Sequence, residues 1–105
     1  MYYPVSSVLI EFLILSIVEK KDSYGYEISQ TIKIVADIKE STLYPILKKL
    51  EQAGYVRTYQ EEFQGRKRKY YHLTRQGKER LPFLQEEWDN YKQDIDDILE
   101  GSLRR

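Results

Sequence analysis

The residues in this chain able to do chemistry are few, and their types favour binding over bond-making. Across 105 residues there is no cysteine and one histidine, His72, so disulfides, thiolate nucleophiles and multi-histidine metal sites are excluded. Glu86-Glu87 and Asp96-Asp97 are adjacent pairs, and neighbours on a helix diverge instead of converging on one metal or one proton. No nucleophile–base pair and no phosphate-cradling glycine loop is present, so no enzymatic activity, metal or cofactor is expected. The conspicuous feature is a run of four cations, Arg66, Lys67, Arg68 and Lys69, directly after Gly65. The ordinary reading of such a run is a solvated hairpin tip. Four like charges repel one another unless a polyanion is expected, and the polar residues upstream fit one. Ser41, Thr42, Tyr44, Lys48 and Lys49 supply donors suited to base edges and phosphates.

Formal net charge is zero, from 17 basic and 17 acidic side chains, but the charge is unevenly placed. Residues 61–80 carry seven basic and three acidic side chains; residues 81–105 carry three and seven, and residues 1–60 seven of each. The surplus is a localised footprint for duplex DNA, whose binding should fall steeply with salt.

Four helices and a hairpin must position these groups. Leu43, Ile46, Leu47 and Leu50 fall at i, i+3, i+4 and i+7, one buried stripe of a helix starting near Glu40 or Ser41. Asp37, Ser41 and Thr42 are its candidate caps, and Gly54 its left-handed stop. Val56–Glu61 and Lys67–Leu73 read as the strands of a hairpin joined by a glycine-containing turn. Upstream, Asp22 or Ser23 caps a helix with a core stripe of Ile28, Ile32 and Val35. Tyr24 and Tyr26 lie in its first turn, where free amides suit a phosphate. Val5–Lys20 is a helix apolar on nearly every face, which asks for burial from more than one side. Val8–Val18 is too short to span a bilayer, and no Lys or Arg precedes Lys20, so a cytoplasmic protein with no membrane association is expected.

Thr74 caps a last helix running to about Leu99, with Pro82 expected to kink it near Lys78. Its apolar positions Leu81, Leu84, Trp88, Tyr91, Ile95 and Ile98 are spaced 3, 4, 3, 4, 3, a heptad seam that predicts a homodimer.

Helix, glycine stop, strand, basic turn and strand make an α+β, mostly α, winged helix-turn-helix. The expected division is a DNA-binding unit at 1–74 and a C-terminal dimerisation helix at 75–105, one compact unit overall. The stretch TLYPILKKLEQAGYV…GRKRKYYHLT, with YGYEI at Tyr24 to Ile28, resembles the PadR family of bacterial transcriptional regulators. The resemblance implies a homodimeric repressor on a two-fold related operator. Short, multidrug-responsive members of the family carry a tryptophan where Trp88 stands and stack flat aromatic ligands on it between subunits. By that resemblance Trp88, Leu84, Ile10 and Ile14 would line a site for a small aromatic or apolar ligand. The alternative, favoured by the neutral net charge, is a winged-helix protein-interaction module that does not bind DNA.

Overall fold

The computed structural model describes residues 2–102, so the last three positions of the expected C-terminal unit lie outside the described residues. The order of elements is α1 (Ser7–Lys20), β1 (Ser23–Tyr24), α2 (Gly25–Ile32), α3 (Glu40–Gln52), β2 (Val56–Phe63), β3 (Arg66–Leu73) and α4 (Arg75–Glu100). The three strands form an antiparallel sheet in the order β1-β3-β2.

The helix α1 starts where the Ser6 hydroxyl accepts from the Leu9 amide at 3.2 Å, a side-chain N-cap. It is the centre of the core: Ile10, Ile14, Leu15 and Val18 are buried against α2, α3, β3 and α4. The expected start of α2 is corrected. Ser23 and Tyr24 pair with Tyr71 and Tyr70 of β3 as a two-residue strand, and the helix begins only at Gly25. Its end is corrected too. The helix stops at Ile32, Val35 is exposed on a turn, and Ala36 and Ile38 fill the core in its place.

Of the caps expected for α3, none is used: Lys39 takes the N-cap position without a side-chain bond. Instead Glu40 accepts from Ser29 Oγ at 3.3 Å and Lys33 Nζ at 3.0 Å, which ties the start of α3 to α2. Chiefly the hydrogen bond from Lys33 holds the Glu40 carboxyl below its usual range. Leu43, Leu47 and Leu50 face the core, with Ile46 half-buried beside them. Pro45 is exposed, so the Ser41 carbonyl that lacks its N–H partner stays open to water.

At the other end of α3, Gly54 has φ +83°, its amide donates to the Glu51 carbonyl and that of Tyr55 to Leu50. That pair of bonds is the Schellman stop. The hairpin strands run further than expected, to Phe63 and from Arg66, leaving a two-residue turn. Gln64 and Gly65 both have positive φ, 51° and 78°, which a type I′ turn requires.

The Thr74 hydroxyl caps α4 by accepting from the Gly77 amide at 3.0 Å, as its sequence position predicts. Pro82 lies within α4 on the solvent side, and the helix is assigned unbroken through it to Glu100. No helix among the described residues is long and apolar enough to cross a membrane.

Candidate nucleic-acid interface

One open groove of about 510 Å³ collects groups from all three parts of the winged motif. Tyr44, Lys48 and Glu51 come from α3, Tyr24, Gly25 and Tyr26 from the β1–α2 junction, and Arg68, Lys69 and Tyr71 from β3. The close fit begins at Gly25: a Cβ there would stand 2.8 Å from the Tyr44 ring, so only glycine lets the α3 tyrosine lie on the start of α2. Tyr24, the residue before that helix, makes no side-chain cap, so it leaves the first amides of α2 uncapped beside the groove.

Strand alternation divides the four cations of the wing. Tyr71 and Leu73 are buried on the core face of β3, so Lys67 and Lys69 share the side of the sheet that faces α3. Arg66 and Arg68 belong to the opposite face. Arg68 is also held: its guanidinium lies 4.3 Å from the Tyr24 ring centre and 4.2 Å from that of Phe63. The run therefore falls into two pairs, with Lys69 directed to α3 and Arg68 held between the Tyr24 and Phe63 rings of the flanking strands.

Along α3 the polar residues also part into two sides. Tyr44 and Lys48 line the groove toward the wing, while Thr42 borders a second hollow with Ile46, Lys39 and the N-terminal Tyr2 and Tyr3. Ser41 and Lys49 are exposed and line neither hollow. Two groove residues were not singled out from the sequence. Tyr71 is a buried aromatic of β3, and Glu51 follows Tyr44 and Lys48 at helical spacing, the signal that could have found it.

Behind the wing, Asp22 fixes the sheet. Its carboxylate accepts from Tyr59 Oη at 2.7 Å and lies 2.8 Å from His72 Nδ1, while the Tyr59 and Tyr70 rings stack at 5.6 Å. Partial burial alone would raise the Asp22 carboxyl, but the bonds from Tyr59 and His72 outweigh it and hold it below its ordinary value. The same bond pushes the Tyr59 hydroxyl up to about 12. His72 is thus a partner in a structural clamp between the loop after α1 and the hairpin.

A separate concavity of about 380 Å³ lies between the N-terminal arm, α1 and α4. Trp88 and Leu84 form one wall, with Tyr91 and Glu87. The opposite wall differs from the expectation. Ile10 and Ile14 are only 3 % and 0 % exposed inside the subunit, and Val8, Leu9 and Phe12 on the outer face of α1, with Val5 of the arm, line the hollow instead. The helix is apolar on both faces, and its register could not be set by periodicity. The expected seam is divided for a related reason: Leu81 and Leu84 belong to the core of the single chain, packed on α1, whereas Tyr91, Ile95 and Ile98 are exposed.

Comparisons with known proteins agree with this fold. The sequence model of the transcriptional regulator PadR-like family matches residues 14–82, from α1 into α4. The chain is similar to smu.1704 of Streptococcus mutans, whose crystal structure superposes with a TM-score of 0.95 at 67 % identity, covering 100 % of this chain and 99 % of that one. A PadR family transcription regulator from Clostridium difficile is 39 % identical with a TM-score of 0.78, over 86 % of this chain and 97 % of its own. An uncharacterized protein of Lysinibacillus sphaericus is 40 % identical over 97 residues, 88 % of this chain and 89 % of its own length. The chain belongs to the PadR-like family of transcriptional regulators.

Proposed function

We propose that this regulator is a cytoplasmic homodimeric repressor that binds a two-fold related operator and is released by a flat aromatic ligand. The observation that carries the DNA reading is the single groove in which α3, the start of α2 and the wing each contribute to a cationic, hydrogen-bonding surface. Ser41, Thr42 and Lys48 read base edges from α3, Lys49 lies at the flank, and Tyr24, Tyr44, Arg66, Lys67, Arg68 and Lys69 meet phosphates. The exposed stripe of Tyr91, Ile95 and Ile98, continuous with Trp88, joins two copies along α4. Two recognition helices would then enter successive major grooves about 34–36 Å apart. Trp88, half-buried beside a concavity with mostly apolar walls, stacks the ligand together with Leu84, Val8 and Phe12. In this reading residues 1–74 contact DNA, and the outer part of 75–105 contacts the second copy.

The test is titration of the purified protein against DNA from upstream of its own gene and against random duplex, across a salt series. Tighter binding to the upstream fragment by two chains per site, with a steep salt dependence, supports an autoregulating dimer. No binding to either at low salt refutes the DNA reading and favours a protein-interaction module. Quenching of Trp88 fluorescence by planar aromatic compounds tests the ligand site, and an emission unchanged across such a panel refutes it.

A further inference from the structure

The groove between α3 and the wing is lined by three cations, Lys48, Arg68 and Lys69, and by one carboxylate, Glu51. A phosphate approaching this surface meets Glu51 as a like charge, so its presence is unexplained by DNA contact alone. Glu51 stands in the last turn of α3 with its side chain 35 % exposed. One carboxylate oxygen accepts from Thr58 Oγ1 at 2.9 Å, and the other lies 3.5 Å from Lys69 Nζ. Thr58 thereby aims the carboxylate at the wing. Lys69, whose ammonium also lies 5.7 Å from the centre of the Tyr71 ring, is drawn toward the helix.

We propose that Glu51 is an intramolecular competitor of DNA phosphate for Lys69, a residue that limits binding to the backbone of any duplex. The proposal rests on the DNA-binding reading and names a regulating residue within that site. Three features support it. The basic surplus of the chain is confined to residues 61–80, so each wing cation is a large share of the electrostatic attraction. Lys69 is the wing cation on the α3 side whose ammonium is paired with an acid of the recognition helix. The pair is half-exposed, so it contributes little to stability and is readily exchanged for a phosphate.

Glu51→Gln separates competition from bracing, because glutamine still accepts from Thr58 but no longer attracts Lys69. The measurement is fluorescence anisotropy of a labelled random duplex with wild type, Glu51→Gln, Lys69→Ala and the double variant over a salt series. Competition predicts that Glu51→Gln binds roughly three- to tenfold tighter at low salt, with a log–log salt slope steeper by about 0.9, the release of one further counterion. In the Lys69→Ala background the gain should vanish. Weaker binding by Glu51→Gln would make Glu51 a brace for the wing, and unchanged binding and slope would leave it no role; either overturns the proposal. If wild type itself binds no duplex at low salt, the DNA reading falls, and this proposal with it.

Discussion

Replacing Ile95 by lysine tests the two-copy arrangement where the single subunit has little to lose. Ile95 is 39 % exposed, and its neighbours on the stripe, Tyr91 and Ile98, are each 61 % exposed. Fully burying an isoleucine contributes about 2.5 kcal/mol, so covering the exposed two-fifths contributes about 1 kcal/mol per subunit and about 2 kcal/mol per dimer. Lysine forfeits that gain. Its ammonium can snorkel to water, but two such charges facing each other across a two-fold seam add about 1 kcal/mol more. The total of about 3 kcal/mol corresponds to a dimer dissociation constant raised on the order of a hundredfold. Lysine is at least as good a helix former as isoleucine, and it enters a stretch that holds Asp94, Asp96 and Asp97, so α4 itself should persist. Sedimentation equilibrium over the micromolar range reads the constant, and circular dichroism checks the helix. A variant as strongly associated as wild type, with its helix intact, would refute the seam; a monomeric wild type would refute the dimer.

Gly77→Ala should lower stability by about 3 kcal/mol, because the new methyl would collide with the Tyr55 carbonyl and the Leu73 side chain, read as a fall in urea midpoint at unchanged m. Arg80→Met leaves Glu11, whose side chain is 12 % exposed and 3.0 Å from the lost guanidinium, without that partner. That should cost about 3 kcal/mol, or on the order of 12 °C in melting temperature, and Glu11→Gln added to it should recover most of the loss. Asp22→Asn should destabilise near neutral pH and progressively less in acid. The carboxyl's folded value is lowered, so its contribution is present above the unfolded value near 3.8 and lost as pH falls through the folded one. A gap in melting temperature that stays constant from neutral pH into acid would refute this. At the other extreme, Tyr59, pushed up to about 12, contributes below its unfolded value near 10 and loses that contribution as pH rises through the folded one. Its ultraviolet titration should therefore lag that of the exposed tyrosines.

What could be read from the sequence was whatever is encoded by short-range periodicity. The stripe of α3, the Gly54 stop, the hairpin and the Thr74 cap all depend on residues within a turn or two of one another. The β1 strand does not. Ser23 and Tyr24 have no local pattern, and they become a strand only because Tyr70 and Tyr71 arrive from far along the chain. Asp22 was expected as a helix cap because of its type and position, but Tyr24 takes that place, and the partners of Asp22 are Tyr59 and His72 on the hairpin. The two faces of the Arg66–Lys69 run follow from alternation once the strand starts at Arg66; placing these residues partly in the turn hid the division. In α4 a heptad pattern cannot say where a helix leaves its own core. Leu84 is 2 % exposed and Tyr91 61 %, so one spacing runs from the core of the chain onto its exposed surface.

That dual use of α4 bears on how a ligand at Trp88 could reach the DNA. A change at the subunit seam matters only if α4 and α3 move together, so the joint between them must have little slack. The structure supplies three constraints there. Thr74 Oγ1 donates to the Gly54 carbonyl at 2.6 Å while accepting from Gly77, and the Thr74 amide donates to the Tyr55 carbonyl at 3.1 Å. Gly77 brings the α4 backbone so near Tyr55 that a side chain has no room. One turn on, Arg80 bonds Glu11 and fixes α4 to α1, the helix that also lines the Trp88 concavity. In the proposed dimer, a rotation of α4 about the seam would therefore be carried by the same body that holds α3. Under the proposed function, a ligand would need only to favour one subunit angle over another to change the distance between the two α3 helices. Thr74→Val removes the hydroxyl at the centre of this joint while keeping its shape. It should weaken the coupling of ligand to DNA more than it weakens either binding alone. If ligand still shifts DNA affinity by the full wild-type factor in that variant, the Thr74 hydroxyl is not part of the transmission.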